Sequence, residues 1–182
     1  MIISLCGFMG CGKSSVGRKL STLLCCSYMD LDAYIEAETG RCIPDIFAED
    51  GEGAFRVMEL EALQRLIPSP RENSMILSLG GGTVMTDQCA EIVHEQTLCI
   101  YLRASVDTLM SHLAGETEGR PMLNSGKPSE CSGPEALRNR IIELMSIRSA
   151  TYENTAHIII DIDGKNIEDI CSEILASLET VR

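Results

Sequence analysis

Basic residues are scarce in this chain: 15 Lys and Arg stand against 27 Asp and Glu in 182 residues, a formal charge of −12. No basic stripe is available to neutralise a run of phosphates, which argues against a nucleic-acid surface. Long apolar runs are missing as well. No stretch approaches the ~20 residues of a membrane span. Met1-Ile2-Ile3-Ser4 has neither a charged leader nor a cleavage site, so a cytoplasmic protein with no membrane partner is expected. None of the nine cysteines forms a C-x-x-C pair, and their odd count and irregular spacing exclude a secreted disulfide framework. They read as reduced thiols used as small core hydrophobes. The three histidines, His94, His112 and His157, lie far apart without metal-ligand spacing. Internal repeats and low-complexity tracts are absent too.

What is present suits one domain of three layers. Short apolar runs recur at Ile2–Cys6, Met75–Leu79, Leu98–Leu102 and Ala156–Ile160, with a weaker one at Ser27–Met29. Their length fits buried parallel strands. Helical periodicity fills the gaps at Lys13–Leu24, Ala33–Glu38, Phe55–Leu66, Thr86–His94, Ser105–Leu113, Pro134–Tyr152 and Ile167–Leu178. The alternation predicts an α/β fold, a five-stranded parallel sheet covered on both faces. Between Ala114 and Gly133 the periodicity breaks, with Gly115, Gly119, Pro121, Gly126 and Pro128 punctuating a polar, acidic segment. An irregular stretch of that length inside a domain reads as a surface insertion or as a lid, and Arg120 favours the lid.

The first apolar run leads directly into Gly7-Phe8-Met9-Gly10-Cys11-Gly12-Lys13-Ser14, which satisfies G-x-x-x-x-G-K-[ST] between a strand and a helix. Glycine lets the backbone lie close to an anion, and the first N–H groups of the following helix point at it. Lys13 reaches the β/γ-phosphates and Ser14 places a hydroxyl on Mg²⁺. In so acidic a chain a nucleotide requires concentrated bases and a divalent cation. Cys11 stands at a variable position beside Lys13 and a helix N-terminus, an environment that lowers a thiol pKa, but many residue types fit there and the side chain reads as filler.

Further along, Asp30 and Asp32 stand two residues apart at the end of the weak strand. Strand ends of an open parallel sheet gather ligands, so both should face the phosphate loop. An N-cap would explain Asp32 alone but not both acids. Phosphoryl transfer uses one acid near the metal's hydration shell, assigned to Asp30, and one to orient or deprotonate the attacking hydroxyl, assigned to Asp32. Arg56 and Glu59 are one turn apart. On a plain surface helix that pair adds ~0.2–0.5 kcal/mol; alternatively Glu59 fixes the guanidinium for two-point contact with a carboxylate. The segment alone leaves both open. Gly80-Gly81-Gly82 ends a strand, either as a turn or as a backbone surface for a small ligand. Arg148 reads by itself as a helix C-terminal cation.

In order and spacing these segments resemble shikimate kinase from Gly7 to about Gly164. The matching motifs are the phosphate loop through Leu20, Asp30-Leu31-Asp32, the run from Ile43 to Glu59, Leu79-Gly80-Gly81-Gly82, Arg120-Pro121-Met122-Leu123, and Arg148 with Tyr152. The resemblance implies a three-layer α/β/α P-loop kinase fold over residues 1–182, with a substrate-binding region near 32–63 and a mobile lid near 113–130. It implies transfer of the γ-phosphoryl group of ATP, with Mg²⁺, to the 3-hydroxyl of shikimate, a step toward chorismate and the aromatic amino acids. By matching position, Gly10, Cys11, Gly12, Lys13, Ser14, Ser15 and Arg120 hold the nucleotide, and Ser14 and Asp30 the metal. Asp32, Lys13 and Arg120 act in catalysis. Arg56 and Arg148 clamp the shikimate carboxylate, Gly80, Gly81 and Gly82 line its ring, and Phe47 and Phe55 form an apolar wall. A monomer with ATP and shikimate as its only partners follows. The chain departs from the family where an arginine that stacks on adenine is frequent: here Leu113 stands, with His112 beside it. A related small-metabolite kinase, such as a gluconate kinase, and a nucleotide-binding module without catalysis are the competing readings.

Overall fold

The apolar runs become five parallel strands: β1 (Ile2–Cys6), β2 (Ser27–Asp30), β3 (Met75–Ser78), β4 (Leu98–Arg103) and β5 (Ile158–Asp161). The computed structural model describes residues 1–67, 74–113 and 133–180. Strand order is β2-β3-β1-β4-β5, with Ile3 opposite Ile76 on one side of β1 and Leu98 on the other. The inner strands β3, β1 and β4 are almost wholly buried, while the edge strands β2 and β5 keep exposed positions. That is why the inner three are the most continuous apolar runs and β2 the weakest. After β1 the chain crosses to one side of the sheet, for β2 and β3, and later to the other, for β4 and β5. The loop following β1 therefore opens at the point where strand order reverses, the usual place for a ligand cleft.

Eight α-helices are described: α1 (Lys13–Leu23), α2 (Leu31–Thr39), α3 (Ile43–Glu49), α4 (Gly51–Leu66), α5 (Asp87–Gln96), α6 (Val106–Leu113), α7 (Pro134–Thr155) and α8 (Ile167–Thr180). α1 buries Val16, Gly17, Leu20 and Ser21, a stripe with helical spacing. A Cβ on Gly17 would come within 2.6 Å of the Tyr28 ring, so this glycine lets α1 press onto β2. The sequence reading missed α3 and the first turn of α4. Seven residues give too little periodicity to read, and Pro44 looks like a breaker although it sits in the first turn of α3, where a proline is tolerated. Gly51 and Gly53 disguise the start of α4 as loop.

Five of the nine cysteines, Cys6, Cys11, Cys89, Cys99 and Cys171, are buried free thiols in the core, as expected; Cys26 is half-buried, Cys25 and Cys42 are exposed, and Cys131 lies outside the described residues. Two histidines are not far apart in space. His94 and His157 stack with ring centroids 4.6 Å apart. The Cys99 N–H donates to Nδ1 of His157, and burial, followed by the charge of His94, lowers the His157 pKa. They sit where β4 and β5 begin, at the end of the sheet opposite the phosphate loop. Among the described residues no group of three or more metal-ligating side chains occurs, and no helix is long and apolar enough to cross a membrane.

Candidate active site

Gly10 and Gly12 carry the phosphate loop through φ of 81° and 86°, left-handed values that favour glycine. Gly12 is the N-cap of α1 and offers no side chain there, leaving the first N–H groups of the helix open toward the cleft. The Lys13 ammonium lies across the loop, donating to the carbonyls of Gly7 and Phe8 at 3.0 Å each. Ser15 is exposed and Cys11 is buried, its side chain packed beneath the loop close to Gly7.

Asp30 ends β2 and caps α2: its Oδ1 accepts from the N–H groups of Asp32 and Ala33. The cap is thus Asp30, and α2 starts two residues earlier than its apolar pattern suggests. The other oxygen, Oδ2, accepts from the Ser14 hydroxyl at 2.9 Å and from the Tyr28 hydroxyl at 3.1 Å. A hydroxyl and a carboxylate in contact form a hard, all-oxygen donor set of the kind Mg²⁺ takes. Two protein groups suffice where the nucleotide's phosphates and water complete the shell. The residues present therefore fit the metal, through Ser14 and Asp30.

With capping assigned to Asp30, Asp32 turns from the first turn of α2 into the cleft. Its Oδ1 is shut off from solvent and has no hydrogen-bond partner among the described residues. Burial, followed by the charges of Glu59 and Asp30, pushes its pKa up to about 7, against the opposing pull of Lys13 and Arg56. Gly80 makes room for it: a Cβ there would stand 2.8 Å from Asp32 Oδ1, 2.9 Å from Thr83 Oγ1 and 3.0 Å from Glu59 Oε1.

Glu59 is wholly buried. Its Oε2 accepts from Arg56 Nη1 and its Oε1 from the Thr83 hydroxyl, each at 2.5 Å. Burial raises the Glu59 pKa, while Arg56 and Thr83 resist the shift. Glu52 takes the opposite side of the Arg56 guanidinium through Nε and Nη2. Two successive turns of α4 thus hold the fork in place, and the buried Glu59 makes this more than a plain surface pair. Gly82 lies flat against the guanidinium, where a Cβ would come within 2.7 Å of Nη1.

Arg148 is not a helix-end cation. α7 continues to Thr155 and buries Ile141, Leu144, Arg148, Tyr152 and Thr155 along one stripe. Arg148 is 5% exposed, and its guanidinium donates to the Gly81 carbonyl at 3.3 Å and stands 6.0 Å from the centroid of the Phe8 ring. Tyr152 donates its hydroxyl to the same carbonyl. Phe47 and Phe55 meet with centroids 4.9 Å apart.

Most of these side chains converge on one cavity of about 900 Å³. Lys13, Ser14, Ser15, Asp30, Asp32, Phe47, Phe55, Arg56, Gly80, Gly81, Gly82 and Arg148 line it, together with Gly10, Cys11 and Gly12. Arg120 and nearly all of the expected lid lie outside the described residues; Leu113, at the lid's start, is fully buried and packs under Gly10. The sequence reading missed Tyr28 and Thr83, and also Ile162 and Lys165–Glu168 after β5, which line the cavity. Only Tyr28 carried a signal: two residues before Asp30, it shares its face of the strand.

A family model described as shikimate kinase matches residues 9–179. A shikimate kinase from Dictyoglomus turgidum is 36% identical over 181 residues, covering 97% of this chain and 96% of the relative. One from Thermus thermophilus is 38% identical over 176 residues, covering 97% and 89%. Among solved structures, a shikimate kinase from Acinetobacter baumannii in complex with shikimate superposes with a TM-score of 0.87 at 29% identity, covering 100% of this chain and 94% of that one.

Proposed function

Because the chain belongs to the shikimate kinase family, we propose that the cavity between the phosphate loop and the Gly80–Gly82 turn holds shikimate against ATP, with Asp32 as the base. The enzyme phosphorylates shikimate with ATP and Mg²⁺, in the pathway to the aromatic amino acids. In this reading Asp32 receives the proton of the 3-hydroxyl as that oxygen attacks the γ-phosphorus in line with its leaving group. The observation that carries it is the buried, unpartnered Oδ1 of Asp32, beside Gly80 and with a pKa of about 7. A carboxylate close to its working pH both exists ionised and gains from accepting a proton.

Around that centre each residue has one task. Arg56, held between Glu52 and Glu59, and Arg148, held on Gly81, present two guanidinium groups to the substrate carboxylate. Phe47 and Phe55 cover the ring's apolar face. The loop N–H groups of Gly10 and of Gly12 to Ser15, with the Lys13 ammonium, hold the phosphates, while the Cys11 N–H is kept by the Phe8 carbonyl. Ser14 and Asp30 are the protein groups that would hold Mg²⁺, which when bound neutralises charge on the transferring phosphoryl group. Arg120, in the lid expected near 113–130, would bring further positive charge to the transferred phosphoryl group in the transition state; the substrate-binding region is that near 32–63. The protein acts as a cytoplasmic monomer on ATP and shikimate alone; its acidity supports the exclusion of nucleic acid.

Asp32→Asn tests the assignment. Turnover should fall ~10²–10⁴-fold, the usual cost of removing such a group. ADP binding measured by calorimetry should persist, because the phosphate loop is untouched. Turnover close to wild type would remove Asp32 from the chemistry.

A further inference from the structure

We propose that His112, in the last turn of α6, is a positioning residue for the phosphate loop, holding the Gly10 carbonyl so that the Gly10–Cys11 peptide is set for the nucleotide. His112 Nδ1 lies 2.9 Å from the Gly10 oxygen. A carbonyl oxygen only accepts, so Nδ1 carries the proton. On its other side the same peptide is tied by the Cys11 N–H, which donates to the Phe8 carbonyl at 3.2 Å. The peptide is therefore held from both faces.

Gly10 needs such a restraint. Its φ of 81° belongs to a residue with wide backbone freedom and no side chain to anchor it. The neighbouring helix supplies two contacts in succession. Leu113 is fully buried and fills the space directly under Gly10, where a Cβ would come within 2.8 Å of its side chain. His112 stays exposed at the cavity wall and takes the carbonyl. Apolar packing fixes the height of the loop, and the hydrogen bond fixes the rotation of its peptide. A loop set before the ligand arrives binds phosphates without losing that ordering entropy on association.

The inference rests on the reading that this loop holds ATP, and the test separates the two. Affinity for ADP with Mg²⁺ and, in parallel, for shikimate is measured by calorimetry in wild type, His112→Ala and His112→Asn. Asn places a side-chain N–H close to the position of Nδ1. His112→Ala should bind ADP ~3–10-fold more weakly, the scale of one net hydrogen bond. His112→Asn should recover most of that loss, and shikimate affinity should match wild type in both. Kinetics should follow, with KM for ATP raised and kcat at saturating ATP within about twofold, the pattern of lost ground-state binding. Unchanged ADP affinity in His112→Ala, an Asn variant as weak as Ala, or equal weakening of shikimate would each overturn the proposal. A wild-type protein that takes up shikimate but no ADP would instead overturn the loop's assignment to ATP, and the proposal with it.

Discussion

At the scale of single residues the site depends on charges placed where a helix or loop normally hides apolar groups. Glu59 occupies a core-facing position of α4 beside Phe55, Ala62 and Leu63, and Arg148 does the same on α7 between Leu144 and Tyr152. A charge within an apolar stripe must find a partner, yet from the residues alone Arg148 reads as a helix C-terminal cation and Glu59 stays open between a surface pair and an orienting group. The raised pKa of Asp32 is not legible in the sequence either, because it follows from burial against Gly80 and Glu59, residues distant along the chain. Its consequences have a sign. A carboxyl whose folded-state pKa is raised favours the fold below its unfolded value near 3.8, and that contribution is lost as pH rises through about 7. Asp32→Asn should therefore gain melting temperature over wild type at pH 8 and not at pH 4. Glu59→Gln probes the coupling directly. Removing one of the charges that raise the Asp32 pKa should move the acidic limb of kcat/KM below pH 7, while the loosened Arg56 raises KM for shikimate. A limb that stays in place would show that Glu59 does not act on the base.

At the scale of elements, the turn after β3 shows why glycine is required and what a substitution tests. Gly82 has φ of −118°, which alanine adopts freely, so Gly82→Ala is not a backbone defect. Its Cβ would instead displace the Arg56 guanidinium. Losing a charge-assisted fork should raise KM for shikimate ~10–100-fold, with KM for ATP within about twofold. Steady-state kinetics with each substrate varied in turn would check it, and a comparable rise for ATP would remove the clamp from Arg56. The strands and long helices could be read from sequence because burial on both faces of β1, β3 and β4 imposes continuous apolar runs. α3 escaped because seven residues carry no clear period, and the start of α2 escaped because the acid that caps it, Asp30, also serves the site.

At the scale of the whole molecule, the class of fold and the order of its elements follow from local pattern. Which strands neighbour which does not. The order β2-β3-β1-β4-β5 is what brings Gly12, Asp32 and Gly80 to the same end of the sheet, while Arg148 arrives from a helix more than sixty positions later in the chain. The motifs are visible one by one in the sequence, and the sheet makes them a single site. The account as a whole is tested most directly by ADP release from wild-type protein at saturating ATP and Mg²⁺, with and without shikimate. It predicts ADP formed in step with a phosphate ester of shikimate, and almost none when shikimate is left out. ADP released at the same rate without shikimate, or no release when shikimate is present, would contradict it.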